Sequence, residues 1–233
     1  MKFLLTNDDG IEAAGLAALH DAAQSLGECV VVAPAECFSG CSHRVTTDRP
    51  FRVRELAAQR YVVEATPADC VRVGLGQHPE FDWVLAGINH GGNLGADVHL
   101  SGTVAAVREG VLSGKPGIAV SQYHRKGIDP LDWPRASKWL TPVLAELLQR
   151  PWKPGTLWNI NLPNLPEGSP APEVVYCPVD PSPLPFEYEL DGEMWKYAGN
   201  YHQRQFRAGT DIAVCFGGKI SVSLVEVHSL LGD

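Results

Sequence analysis

Short apolar runs alternate with amphipathic stretches along the first two thirds of the chain. Lys2 to Thr6, Cys29 to Ala33, Phe81 to Ala86 and Gly117 to Ser121 read as buried strands. Gly15 to Leu26, Thr103 to Ser113 and Pro134 to Leu148 carry the spacing of helices. In the first of these helices Leu16, Leu19, Ala22, Ala23 and Leu26 form a core-facing stripe, and His20 falls beside it as a bystander. Strands that alternate with helices predict an α/β, doubly wound, mostly parallel sheet. Phe51 to Arg54 and Tyr61 to Glu64 alternate with period two, which predicts a hairpin inserted between the second and third parallel strands.

The pattern changes after Trp158-Asn159-Ile160-Asn161-Leu162. Eight prolines fall between Pro163 and Pro185, a density that leaves little room for a helix or a central strand. From Glu187 to Arg207 the aromatics Tyr188, Trp195, Tyr197, Tyr201 and Phe206 are interleaved with polar residues without a clean helical or strand period, as in an extended arm that needs another surface to cover it. Thr210 to Phe216 and Lys219 to Val225 read as a terminal strand pair around Gly217-Gly218. The expected organisation is one domain: a catalytic core over residues 1–165, then a Pro-rich segment, an oligomerisation arm and the strand pair over residues 166–233.

Composition narrows the function class. With 233 residues, 45% of them hydrophobic, the chain can bury one substantial core. A formal net charge of -8 disfavours a nucleic-acid platform or an anionic membrane surface. No apolar stretch approaches the roughly 18 residues of a membrane span, and Phe3-Leu4-Leu5 meets Asp8 too early for a signal sequence, so a cytoplasmic location is expected. Six cysteines lie without a C-x-x-C pair. Cys29, Cys70 and Cys215 sit in apolar segments, whereas Cys37 and Cys41 flank Ser39 and lack the further ligands of a zinc site.

Candidate chemistry collects where strands give way to turns. Thr6-Asn7-Asp8-Asp9-Gly10 ends the first strand in two adjacent carboxylates, which serve equally as turn chemistry or as a metal site. A second loop carries Phe38-Ser39-Gly40-Cys41. A third, Gly87-Ile88-Asn89-His90-Gly91-Gly92-Asn93-Leu94-Gly95, holds two asparagines and four glycines in nine residues, a composition that suits close approach to backbone. Its spacing is not that of a dinucleotide-binding glycine loop. Ser101-Gly102-Thr103 opens a helix, as an N-cap, a phosphate cradle or both. Asp8, Asp9, Ser39 and the Asn89 amide oxygen are hard donors suited to one divalent ion, Mg²⁺, Mn²⁺ or Ca²⁺, while Asn93, Ser101 and Thr103 offer neutral hydrogen bonds to phosphoryl oxygens.

Taken in order, these loops resemble the SurE-type (survival protein) metal-dependent nucleotidases. The likeness extends through Val32-Ala33-Pro34, Thr66-Pro67-Ala68-Asp69-Cys70, Ser101 to Ala106 with Glu109-Gly110, Ile118 to Ser121, Asn159 to Pro163 and Gly209-Thr210-Asp211. It departs at Ala65, Ala86 and Ser223-Leu224, none of which is a proposed ligand. The resemblance implies a Rossmann-like core, a homodimer or homotetramer, and hydrolysis of nucleoside 5′- or 3′-monophosphates. Carried over, Asp8, Asp9, Ser39 and Asn89 resemble the metal ligands, and Asn93, Ser101, Gly102 and Thr103 the phosphate contacts. The expected function is a divalent-metal-dependent phosphomonoesterase using metal-activated water, with Asp8 and Asp9 as the catalytic pair. A nucleotide-binding sensor without turnover is the alternative, and an oxidoreductase is disfavoured by the missing glycine fingerprint.

Overall fold

Phe3 and Leu5 point to one side of the first strand and Leu4 to the other, and all three are fully inaccessible to solvent. A strand buried on both faces belongs in the middle of a parallel sheet covered by helices. The computed structural model describes residues 1–125, 127–128 and 130–228, so the last five residues of the expected C-terminal segment lie outside the described ones. The chain runs β1 (Lys2–Thr6), α1 (Ala14–Ala23), β2 (Glu28–Pro34), β3 (Val53–Ala57), β4 (Arg60–Val63), α2 (Pro67–Gln77), β5 (Trp83–His90), α3 (Asp97–Leu100), α4 (Gly102–Leu112), β6 (Gly117–Gln122), α5 (Trp133–Leu147), β7 (Thr156–Leu162), β8 (Val174–Tyr176), β9 (Tyr188–Asp191), β10 (Met194–Tyr197), α6 (Asp211–Phe216) and β11 (Ile220–Glu226).

Nine strands form one mixed sheet in the order β3-β4-β2-β1-β5-β6-β7-β11-β8. β4, β2, β1, β5, β6 and β7 are mutually parallel, as expected of a Rossmann-like α/β fold. On one face the core combines Phe3, Leu5, Val31 and Leu85 with Leu16 and Leu19 of α1 and Leu140, Leu144 and Leu147 of α5. On the other, Leu4, Val30, Val32 and Val84 meet Val71 of α2 and Val104, Val107 and Val111 of α4. The chain leaves β1 toward β2 on one side and later returns to β5 on the other. The tip of β1 is therefore the topological switch point, where open α/β sheets place their ligands.

The inserted hairpin is β3 and β4, antiparallel to each other, with β4 extending the parallel sheet beside β2. Three sequence expectations are corrected. Thr210 to Phe216 is not the first half of a strand pair: Asp211–Phe216 forms α6, because Ile212 and Cys215, one helical turn apart, bury together against Leu94 and Tyr123. β11 instead pairs antiparallel with β7 and parallel with β8 inside the main sheet. The strand expected to stop at Ala86 continues to His90 after a register shift between Ala86 and Asn89, which puts Asn89 at the strand end rather than in the loop.

The third correction concerns the arm, whose aromatics do have a strand period. β9 and β10 pair antiparallel with Tyr188 opposite Tyr197 and Leu190 opposite Trp195, so these four share one face, while Glu189 lies opposite Lys196 on the other. Most of the aromatic face stays open: Leu190 is 61% and Trp195 65% exposed. Among the described residues no helix is long and apolar enough to cross a membrane.

Candidate active site at the tip of the first strand

Asn7 closes the turn after β1 by donating from Nδ2 to the Gly10 carbonyl (2.8 Å) and accepting from the Gly10 N–H (3.3 Å). Gly10 sits at φ 106°, a left-handed conformation that suits glycine. This turn leaves Asp8 buried and Asp9 partly exposed. The Thr103 hydroxyl donates to Asp8 Oδ1 at 2.5 Å, and the His90 backbone N–H donates to Asp9 Oδ2 at 3.0 Å. Each carboxylate is thus oriented by a neutral donor. Among the described residues no lysine or arginine forms an ion pair with either.

Burial pushes the Asp8 carboxyl up to about 6, against the lowering effect of the Thr103 hydrogen bond and with a further upward contribution from the Asp9 charge. A buried carboxylate beside a partly exposed one, with no cation paired to either among the described residues, is chemistry that a divalent ion completes. The surrounding donors suit a hard one: Asn89 donates its Nδ2 to the Gly91 carbonyl (2.7 Å), which fixes the amide with its oxygen as the remaining group, and Ser39 supplies an exposed hydroxyl 3.1 Å from Cys37 Sγ. Among the described residues no group of three or more His, Cys, Asp or Glu side chains could hold a metal. The donor set is instead mixed, with two carboxylates, one amide and one hydroxyl, and it fits Mg²⁺, Mn²⁺ or Ca²⁺ better than zinc.

Asp8, Ser39, Asn89, Asn93 and Ser101 line one cavity of about 250 Å³. Ser101 caps α4 by accepting from the Val104 N–H (3.1 Å), and the first-turn N–H groups of Gly102 and Thr103 lack intrahelical partners. Gly102 is packed so closely that an added Cβ would stand 2.9 Å from Asp8 Oδ2 and from Cys41 Sγ. Thr103 occupies a different place from the one its expected phosphate role suggests. Its side chain is fully buried and its hydroxyl is committed to Asp8, so only its backbone N–H remains for an anion.

Asn93 is held by a buried polar network. Its N–H donates to Asn161 Oδ1 (2.8 Å), its carbonyl accepts from Asn159 Nδ2 (2.8 Å) and Asn161 Nδ2 (3.1 Å), and its own Nδ2 donates to Ser121 Oγ (2.8 Å). The asparagines of β7 thereby act as surrogate backbone, pinning a glycine-flanked loop that has no sheet partner of its own. Sequence reasoning missed several residues of this cavity: His90, Asp97, Leu100 and Tyr201 also line it. The interleaved aromatics of the arm were a signal for Tyr201, but nothing in the chain pattern singled out Asp97. It is placed by its ion pair with buried Arg204 (2.6 Å), and burial raises its pKa despite that partner.

Comparison with known proteins identifies the family and the fold. The family described as Survival protein SurE matches residues 3–179. A protein of Nostoc sp., provisionally named a 5′-nucleotidase, is 45% identical over 97% of this chain and 100% of its own length. The 5′-nucleotidase SurE of Paramagnetospirillum magneticum is 37% identical over 96% of this chain and 88% of its own. The crystal structure of the SurE protein from Aquifex aeolicus superposes with a TM-score of 0.86 at 31% identity, covering 99% of this chain and 95% of that one.

Proposed function

We propose, on the premise that the chain belongs to the SurE survival-protein family, that it is a divalent-metal-dependent 5′-nucleotidase, a phosphomonoesterase cleaving nucleoside 5′- or 3′-monophosphates. The observation that carries this reading is the convergence of Asp8, Ser39, Asn89, Asn93 and Ser101 on one cavity at the switch point, with no lysine or arginine among the described residues paired to Asp8 or Asp9. Asp8, Asp9, Ser39 and Asn89 would hold one divalent ion. When bound, that ion supplies positive charge to the phosphoryl oxygens and acidifies a water.

The protein's own groups do the rest. The Gly102 and Thr103 N–H groups at the positive end of α4, the Ser101 hydroxyl and Asn93 receive the phosphate. Asp8, locked by Thr103, orients the attacking water and takes up its proton. The water oxygen bonds to phosphorus as the ester P–O bond breaks; the nucleoside oxygen takes a proton from solvent and leaves as a hydroxyl, and Asp8 returns its proton to solvent. An aspartyl-phosphate route is disfavoured, since the second carboxylate is adjacent and the D-x-D spacing is absent.

Within one domain, residues 1–165 form the catalytic core, and residues 166–233 supply the Pro-rich segment, the arm and the closing elements of the sheet. The enzyme works in the cytoplasm as a homodimer or homotetramer assembled through the arm. Phosphate release from a panel of 5′- and 3′-nucleotides, with and without EDTA, tests the proposal. Metal-dependent release is expected. Nucleotide binding without release under saturating Mg²⁺ or Mn²⁺ would instead mark the chain as a sensor.

A further inference from the structure

The cavity at Asp8 adjoins a second hollow of about 420 Å³ walled by Leu100, Pro185, Tyr188, Tyr197, Tyr201 and Arg204. Asp97, Leu100 and Tyr201 border both, so the two spaces lie side by side with these residues between them. Their chemistry differs sharply. The first is lined by carboxylate, amide and hydroxyl groups; aromatic and aliphatic side chains dominate the second.

The aromatic wall is held in place. The Tyr201 hydroxyl donates to the Gly92 carbonyl at 3.0 Å, and the Arg204 guanidinium lies 4.3 Å from the Tyr201 ring centre. Tyr188 meets Tyr197 edge to face at 5.6 Å across the root of the β9-β10 hairpin. Arg204 is buried, with Nη1 on Asp97, while its Nε and Nη2 find no acceptor among the described residues. The hollow thus combines flat π surfaces with unspent N–H capacity in its wall.

We propose that this second hollow receives the nucleobase, so that the arm selects substrates at the site whose phosphate end lies at α4. The inference rests on the phosphomonoesterase reading. A nucleotide passes from an anionic group through a ribose to a planar heterocycle, and the two spaces run from polar to aromatic in the same order. Every base presents a π face, so stacking on tyrosines recognises the class without reading its hydrogen-bonding edge. A phosphate ester without a base would leave this surface empty.

The test compares kcat/KM for adenosine 5′-monophosphate with kcat/KM for ribose 5-phosphate in the wild type, Tyr188→Ala and Tyr188→Phe, with melting recorded for each. Tyr188→Ala is expected to lower the ratio about tenfold, through KM for the nucleotide, while Tyr188→Phe keeps it. Adenosine binding by calorimetry, which needs no turnover, should weaken by about the same factor in Tyr188→Ala. An unchanged ratio, or equal losses on both esters, would overturn the assignment. If the wild type hydrolyses neither ester, the phosphomonoesterase reading fails, and adenosine affinity alone decides the pocket: unaltered affinity in Tyr188→Ala rejects it.

Discussion

Asp8 is the most strained of the proposed site's side chains, because a carboxylate at 4% exposure with no cationic partner among the described residues is costly to ionise. Its folded value of about 6 lies above the ordinary 3.8. The sign follows: the proton is held in both folded and unfolded chains at low pH, and metal-free protein loses stability as pH rises through about 6. The shift corresponds to about 3 kcal/mol at most. EDTA-treated wild type should therefore melt lower at pH 7.5 than at pH 5, Asp8→Asn should lack this step, and added Mg²⁺ or Mn²⁺ should raise melting more at pH 7.5. Turnover in Asp8→Asn should fall by about a hundredfold or more. Wild-type turnover in that variant under saturating metal would place the ion elsewhere.

In the proposed mechanism Asn89 and Asn93, four positions apart, divide the work between ion and substrate. Asn89→Ala should raise the metal concentration for half activity about tenfold or more. Asn93→Ala should leave that midpoint in place and raise KM or lower kcat at saturating metal. Metal titrations that coincide for the two variants would contradict the division.

At the scale of elements, α4 must start where it does because its first residue has no side chain. Gly102→Ala would push a methyl into Asp8 and Cys41, displacing the carboxylate from its Thr103 hydrogen bond. A loss of about 1 to 3 kcal/mol in stability is expected from the overlap. A fall in kcat/KM that is only partly recovered by excess metal should accompany it. Kinetics identical to wild type would show that the helix start tolerates the methyl and that Asp8 is not held as described.

What the sequence revealed at this scale depended on how far each signal was local. β1, α1, β6, α4 and α5 announced themselves by period, since each buries one stripe or a whole strand. α2 was legible but passed unread: Thr66-Pro67-Ala68-Asp69 is a capping box with proline in the first turn. α6 was misread because a five-residue apolar run, Ile212 to Phe216, fits either period until its packing partners are known. The carboxylates and asparagines were found by their place after apolar strands. The support behind them, Asn159, Asn161 and Ser121, lies far along the chain and becomes a network only when β6 and β7 stand side by side. Thr103 was assigned to phosphate because an N-terminal hydroxyl fits both uses, and only the tertiary contact to Asp8 separates them.

At the scale of the molecule, the sheet leaves one structure unsupported. Among the described residues β9 and β10 pair only with each other, and their aromatic face exposes Leu190 (61%) and Trp195 (65%). A two-stranded hairpin is marginal alone, and apolar area stabilises by about 25 cal/mol per Å² once covered, so a second copy of the chain is the natural cover. The face has two parts with separate duties: Tyr188 and Tyr197 at the root wall the aromatic hollow, whereas Leu190 and Trp195 at the tip are free to dock. Removing all of Glu187 to Arg207 would also remove Tyr201 and Arg204, which bind Gly92 and Asp97 at the cavity, and would confuse assembly with catalysis. A narrower variant, Leu190→Glu with Trp195→Glu, charges only the tip. Light scattering should then report monomers, with melting of the core preserved. An oligomer mass equal to that of the wild type would place the subunit interface elsewhere and leave the exposed face without a partner.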